Sequence, residues 1–137
     1  MAYENTVVAV PKSQDKIRQL ILKNKGTGVA FVSEPPMEGF QAKMTIEGIA
    51  YTVRISAYLK EGARDPEQEM RRIWRVLYHH LKDIFEAANS GVMEFRELIL
   101  PYIVTNDGRT VAEHILPKLE SAIQGNPERM LPHRVNV

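Results

Sequence analysis

The sequence predicts an α+β fold in which a three-stranded antiparallel sheet packs on one long amphipathic helix, with an N-terminal helix and one or two C-terminal helices. Two observations support this prediction. Apolar residues recur at spacings of three and four across residues 70–88, which is the period of a helix with one buried face. Apolar and polar residues alternate across residues 40–46 and 51–57, which is the period of a strand with one exposed face.

The size and composition of the chain fit a single domain. It has 137 residues, of which 44% are hydrophobic and 26% are charged, as in an ordinary globular protein. We assign residues 1–125 to one α+β domain. Residues 126–137 contain two further prolines and are expected to form a loosely ordered C-terminal tail.

Charge and cysteine content exclude several classes of function. Eighteen Lys and Arg against seventeen Asp and Glu give a formal charge of +1, so no global field attracts a polyanion. The absence of Cys excludes disulfides, thiolate zinc sites and a Cys nucleophile, and suits a reducing cytosol. Apolar runs are too short to span a bilayer, and Glu4 lies where a signal peptide would be basic. We therefore expect a cytoplasmic protein without membrane contact, and we expect no cofactor.

The first half of the chain carries signals for one helix and three strands. Pro11 and Ser13 precede an apolar helical pattern that ends at Gly26. Strands are predicted at residues 29–33, 40–47 and 49–59. Residues 34–39, which include two prolines and a glycine, are predicted to form the first turn, and Glu47-Gly48 a tight hairpin.

The long helix has a well-defined start. Asp65 is placed to cap it, Pro66 occupies a position where a missing N–H does no harm, and Gln68 has the spacing of a capping box. The helix is expected to run about 23 residues, roughly 35 Å, to Gly91. Its apolar stripe is predicted to be the main source of the core.

The C-terminal part is predicted to contain a short helix before Pro101, an extended segment at residues 102–104 and a turn at residues 106–108. Thr110 and Glu113 then have the spacing of a capping box. We expect them to open a last helix, which Pro117 either kinks or limits to regular segments on its two sides. Its apolar residues are predicted to face the core; they are Ile115, Leu116, Leu119 and Ile123.

A basic ridge on the polar face of the long helix is the first candidate site. It consists of Arg71, Arg72, Arg75, His79 and Lys82. Cationic side chains four residues apart lie on one helix face and can follow a phosphate backbone. Glu67 and Glu69 begin the same helix and neutralise part of this charge, so a solvated, salt-bridged face is the alternative interpretation. The first hypothesis is therefore a non-enzymatic protein that binds nucleic acid or a nucleotide-containing partner through the ridge.

Other chemistry has weaker support. His79, Asp83 and Glu86 share one helix face and are candidate metal ligands for a small metal-assisted hydrolase, with ordinary surface polarity as the alternative. No HExxH, GxSxG or P-loop motif occurs. The sequence favours a protein without catalytic activity, and catalytic groups brought together from distant segments are the alternative.

A protein–protein interaction module is the second functional hypothesis. It would use an exposed apolar surface, such as residues 99–104, or a sheet edge, for self-association or to inhibit a host protein.

The order of helix, three strands and long helix resembles the double-stranded RNA-binding domain. In that family the last helix begins with a lysine-rich motif that contacts phosphates. The corresponding start here reads Asp65-Pro66-Glu67-Gln68-Glu69, and acidic side chains at this position would repel the ligand. The resemblance therefore concerns topology alone.

Several segments resemble a family of uncharacterised small proteins encoded by phages and other mobile elements. They are Tyr3-Glu4-Asn5-Thr6-Val7-Val8, Lys12-Ser13-Gln14, Trp74-Arg75-Val76-Leu77 through His80-Leu81-Lys82, Val92-Met93-Glu94-Phe95-Arg96-Glu97 and Pro101-Tyr102-Ile103-Val104. The resemblance implies a cytosolic accessory protein that acts on nucleic acid or on host machinery. It implies no particular functional residues.

Overall fold

The computed structural model describes Tyr3 and residues 5–124, so the predicted tail at 126–137 lies outside the described residues. The elements follow the predicted order. They are α1 (Val10–Lys23), β1 (Thr27–Glu34), β2 (Met37–Ile46), β3 (Ile49–Tyr58), α2 (Pro66–Asn89), α3 (Phe95–Ile99), a 3-10 turn (Leu100–Tyr102) and α4 (Val111–Gln124). The α+β prediction is confirmed.

The three strands form one antiparallel sheet in the order β1-β2-β3. The predicted hairpin at Glu47-Gly48 is confirmed, because Ile46 and Ile49 form the last pair of the β2–β3 ladder. Both turn residues have positive φ, 52° at Glu47 and 81° at Gly48. That combination matches the right-handed twist of the flanking strands.

The first turn is shorter than predicted. Glu34 pairs directly with Met37, so Pro35 and Pro36 alone reverse the chain, and the prediction of a turn over residues 34–39 was wrong. Gly39 is part of the β2 ladder rather than of a turn. A Cβ at Gly39 would lie 2.6 Å from the Ile55 carbonyl oxygen, so the glycine allows the close approach of β3.

The long helix is confirmed. The Asp65 side chain accepts a hydrogen bond from the Gln68 backbone N–H at 3.1 Å, and Pro66 is the first helical residue. The buried stripe of α2 packs on the inner face of the sheet beside α1. The core it forms with its neighbours comprises Ile17, Ile21, Phe40, Ala42, Met44, Val53, Ile55, Ile73, Trp74, Leu77, Leu81, Ile84, Phe85 and Ile99.

The chain after α3 returns to the edge of the sheet. The Val104 backbone N–H donates to the Thr52 carbonyl oxygen at 2.8 Å, and Ile103 bridges Val53 in antiparallel fashion. Tyr102, which was expected to be extended, belongs to the 3-10 turn. This short pairing places the start of α4 beside the outer face of the sheet.

The predicted orientation of α4 was wrong. None of its described residues is buried, and the helix continues through Pro117. Exposed fractions are 50% for Ile115, 62% for Leu116, 41% for Leu119 and 51% for Ile123. The physical reason is that α1 and α2 already cover the inner face of the sheet, so no core surface is left for α4 to seal.

Candidate functional site

Two members of the predicted ridge are engaged by their own helix. Arg71 donates from Nε and Nη2 to the side-chain oxygen of Gln68, at 3.0 and 2.7 Å. Arg72 forms an ion pair with Glu69 at 2.6 Å, and both side chains are mostly covered. The hydrogen bond from Arg72 lowers the pKa of Glu69. Arg71 and Arg72 are therefore paired within their own helix, as the alternative interpretation of the ridge predicted.

Arg75 is the least satisfied cation of the ridge. Its guanidinium lies over the Tyr78 ring, with Cζ 4.9 Å from the ring centroid. Its Nη1 is buried and has no hydrogen-bond partner among the described residues. A buried donor without an acceptor costs free energy, so this nitrogen requires an explanation.

A lysine from α1 approaches the same ring. Lys16 Nζ lies 5.6 Å from the Tyr78 centroid. A cleft of about 250 Å³ separates the two helices here and is lined by Lys16, Gln19, Leu20, Lys23 and Tyr78. The sequence did not predict this contribution, because spacing within one helix does not report a side chain that approaches from another. The spacing of Lys12, Lys16 and Lys23, which places them on one face of α1, was the available signal.

His79 does not contribute a full positive charge. Its ring stacks on Tyr3, with centroids 4.7 Å apart and an interplanar angle of 7°. Burial lowers the pKa of His79, and the positive charges of Arg75, Lys82 and Lys16 lower it further against the opposing effect of Asp83. The lowered pKa of His79 favours the neutral imidazole.

The candidate metal ligands do not come together among the described residues. Within the described part of the chain, no three His, Asp or Glu side chains come close enough together to hold a metal ion. Glu86 instead pairs with Lys82 at 3.8 Å, between two exposed side chains. His79, Asp83 and Glu86 share a helix face as predicted, but they do not form a coordination group.

The candidate cationic site therefore differs from the predicted ridge, because it includes residues of two helices. We call Lys16, Lys23, Arg75 and Lys82, grouped around the Tyr78 and His79 rings, the cationic cluster. Arg75, His79 and Lys82 come from the predicted ridge, while Lys16 and Lys23 come from α1.

A second candidate site is apolar. Leu100, Ile115, Leu116, Leu119 and Ile123 are each between 41% and 62% exposed, and we call them the α4 surface. Leu100, Ile115 and Leu116 also line a shallow hollow of about 270 Å³ at the first turns of α4. Contiguous exposed apolar side chains of this kind mark interaction sites more often than isolated ones.

The start of α4 is held by polar contacts. Arg54 on the outer sheet face pairs with Glu113 at 3.0 Å and donates to the Gly108 carbonyl oxygen at 2.9 Å. The predicted capping box is confirmed, since Glu113 accepts from the Thr110 N–H and the Glu113 N–H donates to Thr110 Oγ1. The helix is therefore fixed at its N-terminal end, which positions the α4 surface relative to the sheet.

A Thr, His and Asp group lies in the turn before α4. Thr105 Oγ1 and Asp107 Oδ1 both lie near Nε2 of His114, at 2.9 and 3.1 Å. A catalytic histidine needs its nucleophile and its acid on opposite ring nitrogens, so this arrangement is not a relay. Hydrogen bonds from Thr105 and from the Arg109 backbone lower the pKa of Asp107 to about 2. The group therefore stabilises the turn.

No helix in the described part of the chain is long and apolar enough to cross a membrane.

Comparisons of the chain with protein-family models, with curated proteins and with solved structures found no match. The resemblance to small proteins of phages and mobile elements therefore stays a prediction.

Proposed function

We propose that the chain is a non-enzymatic protein–protein interaction module whose α4 surface binds a second copy of the chain. The observation that carries this proposal is the exposure of the Leu and Ile side chains of α4, on a helix with no buried residue of its own. Burial of apolar area is the main favourable term in protein association, at roughly 25 cal/mol per Å². A role of this kind suits the small accessory protein that the sequence resemblance implies.

The pattern on α4 favours another helix as the partner surface. Ile115, Leu119 and Ile123 recur at intervals of four, and Leu116 lies beside them, so they form one stripe along the helix. Two such stripes can interdigitate, because ridges at intervals of four pack into matching grooves. A second copy of α4 supplies the same stripe by symmetry.

Charge also permits self-association through α4. Glu113 is already paired with Arg54. The remaining Asp, Glu, Lys and Arg residues of the helix are Lys118 and Glu120, one of each sign. Two copies of the helix therefore meet without a large net repulsion.

Light scattering over a range of protein concentrations tests the proposal. The unmodified chain should have the mass of a dimer or larger oligomer, and Leu119→Glu should reduce it to a monomer. Leu22→Glu is the matched control, because Leu22 is an exposed leucine of α1, with an exposed fraction of 56% against 41% for Leu119. Circular dichroism should show that both variants keep the helical content of the unmodified chain.

Two results would overturn the proposal. A monomeric mass at every concentration would show that the α4 surface does not bind a second copy. A different protein recovered by affinity capture with monomeric chain, and lost with Leu119→Glu, would assign the surface to a heterologous partner.

A further inference from the structure

We propose a second binding site, separate from the α4 surface: the cationic cluster between α1 and α2 binds the phosphate backbone of a single-stranded nucleic acid. The site joins residues from two helices that are far apart in sequence. It depends on the positions of Lys16 and Arg75 around the Tyr78 ring and on the aromatic residues beside them.

The geometry around Tyr78 creates a place for an anion. Lys16 Nζ lies 5.6 Å and Arg75 Cζ 4.9 Å from the same ring centroid, so cations from two helices lie beside one ring. Arg75 Nη1 is buried without an acceptor among residues 5–124 and Tyr3. Arginine prefers phosphate and carboxylate oxygens as acceptors, so a guanidinium beside the cleft favours an anion there.

The surrounding charge is positive near the ring. Lys23 lines the same cleft, and Lys82 lies close enough to His79 to act on its pKa. Acidic residues also lie near the cluster. Asp15 accepts a hydrogen bond from Gln19 at 2.8 Å, Glu86 is paired with Lys82, and Asp83 lies one residue beyond Lys82 on α2. Four cations therefore lie around the cleft and the two rings, against three acidic side chains, of which Asp15 and Glu86 already have partners.

The size of the cleft and the neighbouring rings favour a single strand. The space of about 250 Å³ is small for a whole nucleotide but sufficient for a phosphate group. Tyr3 is 39% exposed and stacks flat on His79, which places a partly exposed aromatic ring beside the cations. Bases of a single strand can stack on an exposed ring while their phosphates follow a positive groove.

Fluorescence polarisation with a short labelled oligonucleotide tests this site. The unmodified chain should bind single-stranded DNA or RNA at low salt, and neutralisation of three phosphates would give a log–log salt slope of about −2. Lys16→Glu should weaken binding roughly tenfold or more, because it reverses one charge of the groove. Lys43→Glu is the matched control, since Lys43 is an exposed lysine of β2 and belongs to the outward-facing set of its strand.

Four results would overturn the proposal. They are no binding at low salt, equal weakening by Lys16→Glu and Lys43→Glu, preference for a duplex of the same length, and complete competition by inorganic phosphate at low millimolar concentration. The last result would assign the cleft to a free phosphate rather than to a strand. Lys82→Glu leaves the contacts of Lys16 and Arg75 with Tyr78 in place. Loss of binding in this variant, with an unchanged circular dichroism spectrum, would support binding of a strand along the cluster.

Discussion

The indole Nε1 of Trp74 donates a hydrogen bond to a carboxyl oxygen of Glu38 at 3.1 Å, and neither residue has any exposed surface. The Ser33 hydroxyl lies 2.7 and 2.9 Å from the two oxygens of the same carboxyl group. These contacts join β1, β2 and α2 at a buried carboxyl group, which Trp74 contacts from the core and the exposed Ser33 contacts from β1. A buried carboxyl group without such partners would be strongly destabilising.

We expect Trp74→Phe to lower the free energy of unfolding by about 1–3 kcal/mol through the lost hydrogen bond, in addition to the loss of packing. Adding Glu38→Leu to Trp74→Phe should recover part of that loss. The second substitution removes the buried carboxyl group that has lost its hydrogen bond from the indole. Urea denaturation of both single variants and the double variant measures this coupling. Strictly additive effects would contradict the role assigned to the pair.

The two helices should respond differently to truncation of an apolar side chain. Leu77 of α2 is 3% exposed, so Leu77→Ala should cost about 2–5 kcal/mol of unfolding free energy. Leu119→Ala on α4 should cost no more than about 0.5 kcal/mol at protein concentrations where the chain is monomeric. Chemical denaturation at low concentration provides both values. A large loss for Leu119→Ala under those conditions would mean that α4 is sealed against the domain.

His79 should make stability depend on pH in the weakly acidic range. Its pKa is lowered from 6.5 in the fold, so the unfolded chain binds the proton more readily. The stabilisation is present above pH 6.5 and is lost as the pH falls through the lower folded value. His79→Gln should flatten the profile between pH 7 and the onset of carboxyl titration, as measured by thermal unfolding. An unchanged slope in this variant would show that His79 is not held neutral by its surroundings.

Asp107 should contribute stability that is sensitive to stronger acid. Its pKa falls from 3.8 to about 2 because Thr105 and the Arg109 backbone donate to the ionised form. Its contribution is therefore complete above about pH 4 and decreases as the pH falls toward 2. Asp107→Asn should unfold less steeply with acid than the unmodified chain. Asp65→Asn, at a different exposed cap, provides the comparison. Identical acid profiles for Asp107→Asn and the unmodified chain would contradict this assignment.

Periodicity was sufficient to predict α2 and the sheet, because both bury one face and their spacing reports it directly. Periodicity did not predict the orientation of α4. The spacing of Leu116 and Leu119 indicates an apolar face, but it does not indicate which surface covers that face. The same limit applies to the candidate site. Arg75 and Lys82 were found from their spacing on one helix, whereas Lys16 reaches Tyr78 from a different helix through packing that the spacing does not encode.

The central claim is that the α4 surface is a contact between copies of the chain. The chain has no cysteine, so Ser121→Cys introduces a single labelling position on α4 away from its apolar stripe. Pulsed electron spin resonance of the spin-labelled variant should give a defined distance between labels on two copies. That signal should disappear when Leu119→Glu is added. If the labelled and folded chain gives no signal from a distance between two labels, the claim is contradicted.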